Sequence, residues 1–232
     1  MCGRAKLPED VSEIKLDLKI DWDEIGDYRP RWNAAPTSKL PVVVSKNGER
    51  TLTLMRWGLV PSWAKDIKIG SSTFNARAEG IETRPAFRAA WKSGHRCLVV
   101  ADGYYEWRQV DKQPFAVALG SRRPMTFAGL WDTWRAPDGE TLKSFTIITT
   151  QSNAFLRQLH DRMPVLIARE HWAGWLGEAA ASESHLKAML KPYPGAAMTY
   201  WPVDKRVGNV RNDTADLFAP LDRQIRPQIG GF

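Results

Sequence analysis

Leu40-Pro41-Val42-Val43-Val44-Ser45-Lys46-Asn47-Gly48-Glu49-Arg50-Thr51-Leu52-Thr53-Leu54 is the stretch that decides the fold class. Two β-prone runs flank an Asn-Gly pair, and an Asn-Gly turn accepts the positive φ angles that a tight hairpin demands. Working outward, Cys97-Leu98-Val99-Val100, Phe115 to Ala118, Met125 to Leu130 and Phe145 to Thr150 are also short, β-rich and bounded by turn residues. Helical spacing is rarer. It is expected from Glu9 to Ile20 (Val11, Ile14, Leu18), Arg84 to Lys92 (Phe87, Trp91), Ala154 to Leu159, Glu170 to Leu176 and Ser182 to Leu190. The acidic run Asp21, Asp23, Glu24 and Asp27 reads as a solvated face. Strands do not alternate regularly with helices, and neither a repeat nor a linker divides the chain. The expectation is an α+β fold, one domain over residues 1–232, with a mainly antiparallel β-sheet or barrel core and short flanking helices.

Composition narrows the function classes. The 43% hydrophobic and 25% charged residues are ordinary for a globular protein. No window approaches the roughly 18 apolar residues of a membrane span, and Met1-Cys2-Gly3-Arg4-Ala5-Lys6 offers no signal-peptide core, so a cytoplasmic, nucleoid-associated location is expected. Cys2 and Cys97 would both be free thiols in a reducing compartment. The histidines at 95, 160, 171 and 185 lack metal-ligand spacing, and no phosphate loop or dinucleotide fingerprint is present, so neither metal nor cofactor is expected. A net charge of +7 favours a polyanionic partner through counterion release. The 11 tryptophans could stack on unpaired bases or simply fill the core.

Cys2 carries the most distinctive chemistry. Removal of Met1 would leave a terminal 1,2-aminothiol, which reacts with an aldehyde in two stages: the amine forms an imine, and the thiol closes onto the same carbon as a thiazolidine. With an α-amine pKa near 7.7 to 8.0, roughly a tenth of the amine is neutral at pH 7. Gly3 permits close backbone packing beside it, and Arg4 could bind a phosphate and lower the thiol pKa. Cys97, inside an apolar run, reads as a small buried hydrophobe with no catalytic part.

Around Cys2 the chain resembles the SOS-response-associated peptidase family, the abasic-site processing proteins. The resemblance begins at Met1-Cys2-Gly3-Arg4 and recurs at Asn33-Ala34-Ala35-Pro36, Arg56 to Trp63, and Phe74-Asn75-Ala76-Arg77-Ala78-Glu79. It continues at Cys97 to Trp107, Leu159-His160-Asp161-Arg162-Met163-Pro164 and Val207-Gly208-Asn209-Val210. It implies a DNA-repair enzyme that links itself through Cys2 to abasic sites in single-stranded DNA, at single-strand/double-strand junctions, and acts as a monomer. The implied catalytic set is Cys2, Asn75, Glu106 and His160. Glu106 would relay protons, His160 would be a second acid/base, and Asn75 would hold the sugar or the terminal amine. The implied DNA contacts are Arg4, Arg77, Arg84 and Arg162 to phosphates, Asn33 beside them, and Pro36 with Trp63 as a wedge against a base. Two positions depart from the family's pattern, Ala5 and Ala64, where aromatics are common, and this puts the stacking arrangement in doubt. The family's name keeps a rival open, a cysteine (auto)peptidase with Cys2 as nucleophile and His160 as base; lyase activity, or a DNA-binding module without catalysis, are further alternatives.

Overall fold

The structure is a computed structural model that describes residues 2–222 and 227–230. Its strands are β1 Ala5–Lys6, β2 Trp22–Asp23, β3 Lys39–Lys46, β4 Glu49–Trp57, β5 Asn75–Arg77, β6 Arg96–Ala101 and β7 Gly103–Trp107. They continue as β8 Pro114–Leu119, β9 Met125–Arg135, β10 Thr141–Gln151, β11 Arg162–Pro164, β12 Met198–Pro202 and β13 Gln228–Ile229. Four short helices accompany them: α1 Ser12–Asp17, α2 Arg88–Lys92, α3 Trp172–Leu176 and α4 Glu183–Met189. The expected α+β, sheet-dominated fold is what forms.

The β3–β4 hairpin turns at Asn47 (φ 55°) and Gly48 (φ 84°), with Lys46 opposite Glu49. From it the sheet extends through β6, β9 and β10, all antiparallel, and then closes on itself where β10 runs parallel to β4 at Ser144–Arg56 and Phe145–Trp57. Five strands thus make a closed barrel. Because both faces of these strands are buried, they read as apolar runs rather than alternating ones. Leu40, Val42, Met55, Trp57, Val99, Phe127, Phe145 and Ile147 share the inner core. Val43, Leu52, Leu98, Val100, Ala128 and Ile148 face outward under Ile14, Trp91, Trp175, Leu186 and Met189, which the helices and their flanks supply.

The second sheet, β1-β7-β8-β12-β13, packs against the inner core. Alternation along β7 puts Tyr104 toward that core and Tyr105 on the opposite face, into a smaller cluster with Trp201 and Leu217. The N-terminal chain is an inner element of the assembly. Ala5 and Lys6 pair with Tyr104 and Gly103 on one side, while Ala5 exchanges two 2.9 Å backbone bonds with Ala34 on the other.

The helices are shorter than their spacing suggests. Lys19, at φ 47°, breaks the first after Asp17. The second starts only at Arg88, after a turn in which Phe87 N donates to Arg84 O. Ala154 to Leu159 is a run of turns, because the Asn153 side chain accepts from Leu156 N and the chain must leave at once for β11. The segment expected from Glu170 begins as a 3-10 turn and becomes α-helical only at Trp172.

Gly58, leaving β4, has φ +115°, and a Cβ there would meet the Gly70 carbonyl oxygen at 2.4 Å. Gly58→Ala combines backbone strain with backbone overlap and is expected to cost about 3 kcal/mol. The thermal midpoint should fall by roughly 10 °C in calorimetry. An unchanged midpoint would contradict the close approach.

Candidate active site

Two layers of backbone hydrogen bonds hold the N-terminus in place. Tyr105 N donates to Arg4 O (3.0 Å), Asp102 N to Lys6 O (2.9 Å) and Leu7 N to Arg31 O (2.7 Å). Cys2 follows this anchored strand into the inner core, where it is 1% exposed. Its carbonyl accepts from Asn75 Nδ2 at 2.7 Å. Asn75 in turn is set by β5, which pairs parallel with β10 at Ile147. The other amide atom, Asn75 Oδ1, is buried with no hydrogen-bond partner among the described residues.

Glu106 lies two residues beyond Tyr104 on β7, so alternation turns both side chains to the face where Cys2 sits. Glu106 is 4% exposed. Burial pushes the Cys2 thiol well above its usual range, and the neighbouring Glu106 charge pushes it further. Arg4 was expected to lower it; the side chain instead donates to Val207 O (3.3 Å) and Gly208 O (3.2 Å) and lies 5.9 Å over the Trp107 ring. Tyr104, whose hydroxyl is also driven up by burial and by the Cys2 and Glu106 charges, joins the cluster. Sequence reasoning assigned it no part, although its spacing from Glu106 was the available signal.

His160 is half-buried. Its Nδ1 accepts from Arg162 N at 3.0 Å, which leaves Nε2 as the nitrogen that carries the proton of the neutral ring. Burial lowers its pKa, opposed by the anionic Glu106 and Asp161. The four residues expected to act together therefore meet: Asn75 on the Cys2 carbonyl, and Glu106 close enough for its charge to reach both the thiol and the imidazole.

The expected DNA contacts are more scattered. Arg77, on the face of β5 that carries Asn75, is exposed and makes no ion pair among the described residues. Arg162 is already engaged, bidentate to Glu79 at 2.7 and 2.9 Å and bonded to Thr149 O at 2.6 Å. Arg84 is exposed in the turn before α2, on the helix-covered side of the barrel. Pro36 is half-buried in the turn before β3. Trp63 is 56% exposed on a rigid loop: Ser62 N donates to Asp132, and the Trp134 indole donates to Ala64 O. That loop crosses β10 at Ser144, three residues, or about 10 Å, from the Ile147 level of Asn75. Most other tryptophans fill the core, Trp57, Trp175 and Trp201 completely.

Asn33 requires a correction. It is fully buried, and its Nδ2 donates to the carbonyls of Val207, Asn209 and Asn212 at 3.0, 3.1 and 2.8 Å, so it clasps a loop and has no surface to offer DNA. Asp213, which the sequence did not single out, completes the clasp by accepting from the backbone of Trp32 and Asn33 and from Arg31. Ala5 is likewise buried at 0% exposure, so this position cannot stack on a base. Among the described residues, no cluster of three metal-ligating side chains forms, and no helix is long and apolar enough to cross a membrane.

The profile of the family described as SOS response associated peptidase (SRAP) matches residues 1–210. The chain is 38% identical to the abasic site processing protein YoaM of Bacillus subtilis, over 94% of this chain and 97% of that one. It is 31% identical to the abasic site processing protein HMCES of Mus musculus, over 97% of this chain and 71% of that one. A crystal structure of a protein from Bacteroides thetaiotaomicron superposes with a TM-score of 0.84 at 21% identity, covering 94% of this chain and 99% of that one, and so shares the fold.

His160 supplies a test of the electrostatics. Its ring should titrate below the ordinary value of 6.5, and Glu106→Gln should move it lower still, because the anion favouring the imidazolium is lost. An NMR titration reads both. A midpoint above 6.5, or an upward move in the variant, would contradict the arrangement.

Proposed function

The chain belongs to the SOS response associated peptidase family, and on that premise we propose that it captures abasic sites in single-stranded DNA by forming a thiazolidine at Cys2. The observation that carries the proposal is the double hold on residue 2: Asn75 fixes its carbonyl at 2.7 Å while the buried Glu106 bears on its thiol.

Once Met1 is removed, the Cys2 amine attacks the aldehyde carbon of the ring-opened deoxyribose to give a carbinolamine. Glu106 takes the proton that the nitrogen sheds on attack and returns it to the departing hydroxyl; water leaves and an imine remains. The thiol then adds to the same carbon, giving up its proton as the C–S bond forms, and the imine nitrogen ends as a secondary amine. One water is released overall. The raised thiol pKa sets the order of events. At neutral pH sulfur is held as S–H, so nitrogen reacts first, and the thiol needs a carboxylate at hand to accept its proton. The same shift weighs against a resting thiolate of the kind a cysteine peptidase uses. His160, neutral with its proton on Nε2, is suited to opening the sugar ring. Asn75 Oδ1, buried without a partner among the described residues, suits the terminal amine or a sugar hydroxyl.

The DNA backbone would pass over the face carrying Arg77, with Arg4 and Arg162 behind it and Trp63 as the exposed aromatic. Single strands or junctions suit this arrangement because the reacting sugar must reach a buried residue.

Incubation with an oligonucleotide holding one abasic site should give a heat-stable band on a denaturing gel. Cys2→Ser, which keeps the amine but lacks the thiol, should give only an adduct that borohydride must trap. Glu106→Gln should slow formation by about 100-fold. A heat-stable band from Cys2→Ala at the parent rate would refute the mechanism.

A further inference from the structure

The Arg162–Glu79 pair is lopsided. Arg162 belongs to β11, opposite Gln151 of β10, and its side chain is only 13% exposed. One of its terminal nitrogens donates to Thr149 O at 2.6 Å, so the strand itself holds the guanidinium. Its backbone N–H occupies Nδ1 of His160. Glu79, by contrast, is 54% exposed and sits in the turn after β5. The cation is built into the sheet, while the anion reaches it from the solvent side. A second anion of similar shape could take the carboxylate's place without moving Arg162, since both oxygens of Glu79 meet the two terminal nitrogens in the fork geometry that a phosphate also satisfies.

Arg77 stands two residues before Glu79, exposed, on the strand face shared with Asn75. Its charge reaches the Glu79 carboxylate. Next to the site there are thus two guanidiniums, one of them neutralised by an exposed carboxylate.

We propose that Glu79 is a displaceable counter-ion, which occupies Arg162 until a DNA phosphate replaces it and thereby weakens the hold on intact single strands. This rests on the reading that the DNA backbone crosses this face. The cost of displacing Glu79 falls on every strand, lesion-bearing or intact. Only the lesion goes on to a covalent bond; intact strands, held less tightly, leave sooner, so the penalty limits unproductive occupancy of the site. Glu79 therefore sets how long intact DNA stays on this face and lies outside the reacting set.

Fluorescence anisotropy with an intact single-stranded oligonucleotide across a series of NaCl concentrations tests this on the full chain. Glu79→Gln should bind about fivefold tighter at low salt. Its plot of log affinity against log salt should be steeper by up to about 0.7, because in the parent the displaced Glu79 carboxylate takes up a counter-cation that offsets one released from the strand. Glu79→Asp, which keeps the charge, should stay near the parent in slope. Unchanged or weaker binding by Glu79→Gln, with a melting temperature near the parent's, would overturn the proposal by making Glu79 a mere prop. So would an equal gain in Glu79→Asp. Failure of the underlying reading looks different: the parent itself would then form no heat-stable adduct with an abasic strand, whatever Glu79 does.

Discussion

Backbone hydrogen bonds on both edges of residues 4–7 decide where Cys2 sits. On one edge Arg4, Ala5 and Lys6 are paired along β7 and its entry; on the other, Ala5 and Leu7 are bonded to Ala34 and Arg31. Chain termini usually fray because few groups tie them down. Here the terminus is treated as an internal strand, so the residue just ahead of it enters the core at a fixed height beside Glu106. The loop at 207–213 reinforces this from outside, since Arg4 and Asn33 both bind its carbonyls.

That placement has a chemical consequence. A buried thiol next to a carboxylate is a poor nucleophile on its own, because both desolvation and the anion oppose the thiolate. In the proposed mechanism the same carboxylate serves as acid for water loss and as base for the thiol within one sequence of steps. There nitrogen begins the reaction and sulfur completes it. His160 is held from one side by Arg162, whose backbone N–H donates to Nδ1 and whose guanidinium is in turn anchored on β10. The proposed catalytic residues and the candidate DNA face are linked through the sheet.

Much of this was legible in the sequence, for reasons that differ by element. The Asn47-Gly48 turn announces itself locally, and the apolar runs at 97–100 and 145–150 announce strands because both of their faces are buried. Barrel closure by the parallel β10–β4 contact leaves no local trace, since it joins residues nearly 90 positions apart. Helix ends were misjudged where a single residue such as Lys19 adopts positive φ. In the site, Cys2 and Glu106 stood out through their chemistry and the family resemblance. Asn33 did not reveal its part, because Asn-Ala-Ala-Pro looks like an ordinary loop until residues 207–212 fold over it.

The central claim is that nitrogen and sulfur of one terminal residue bond to one carbon of a damaged sugar. Peptide mapping of the nuclease-trimmed adduct by tandem mass spectrometry tests it most directly. The sugar remnant is expected on a peptide that begins at Cys2, with Met1 absent and the mass of one lost water. A remnant on a lysine, or on a peptide that still carries Met1, would contradict it.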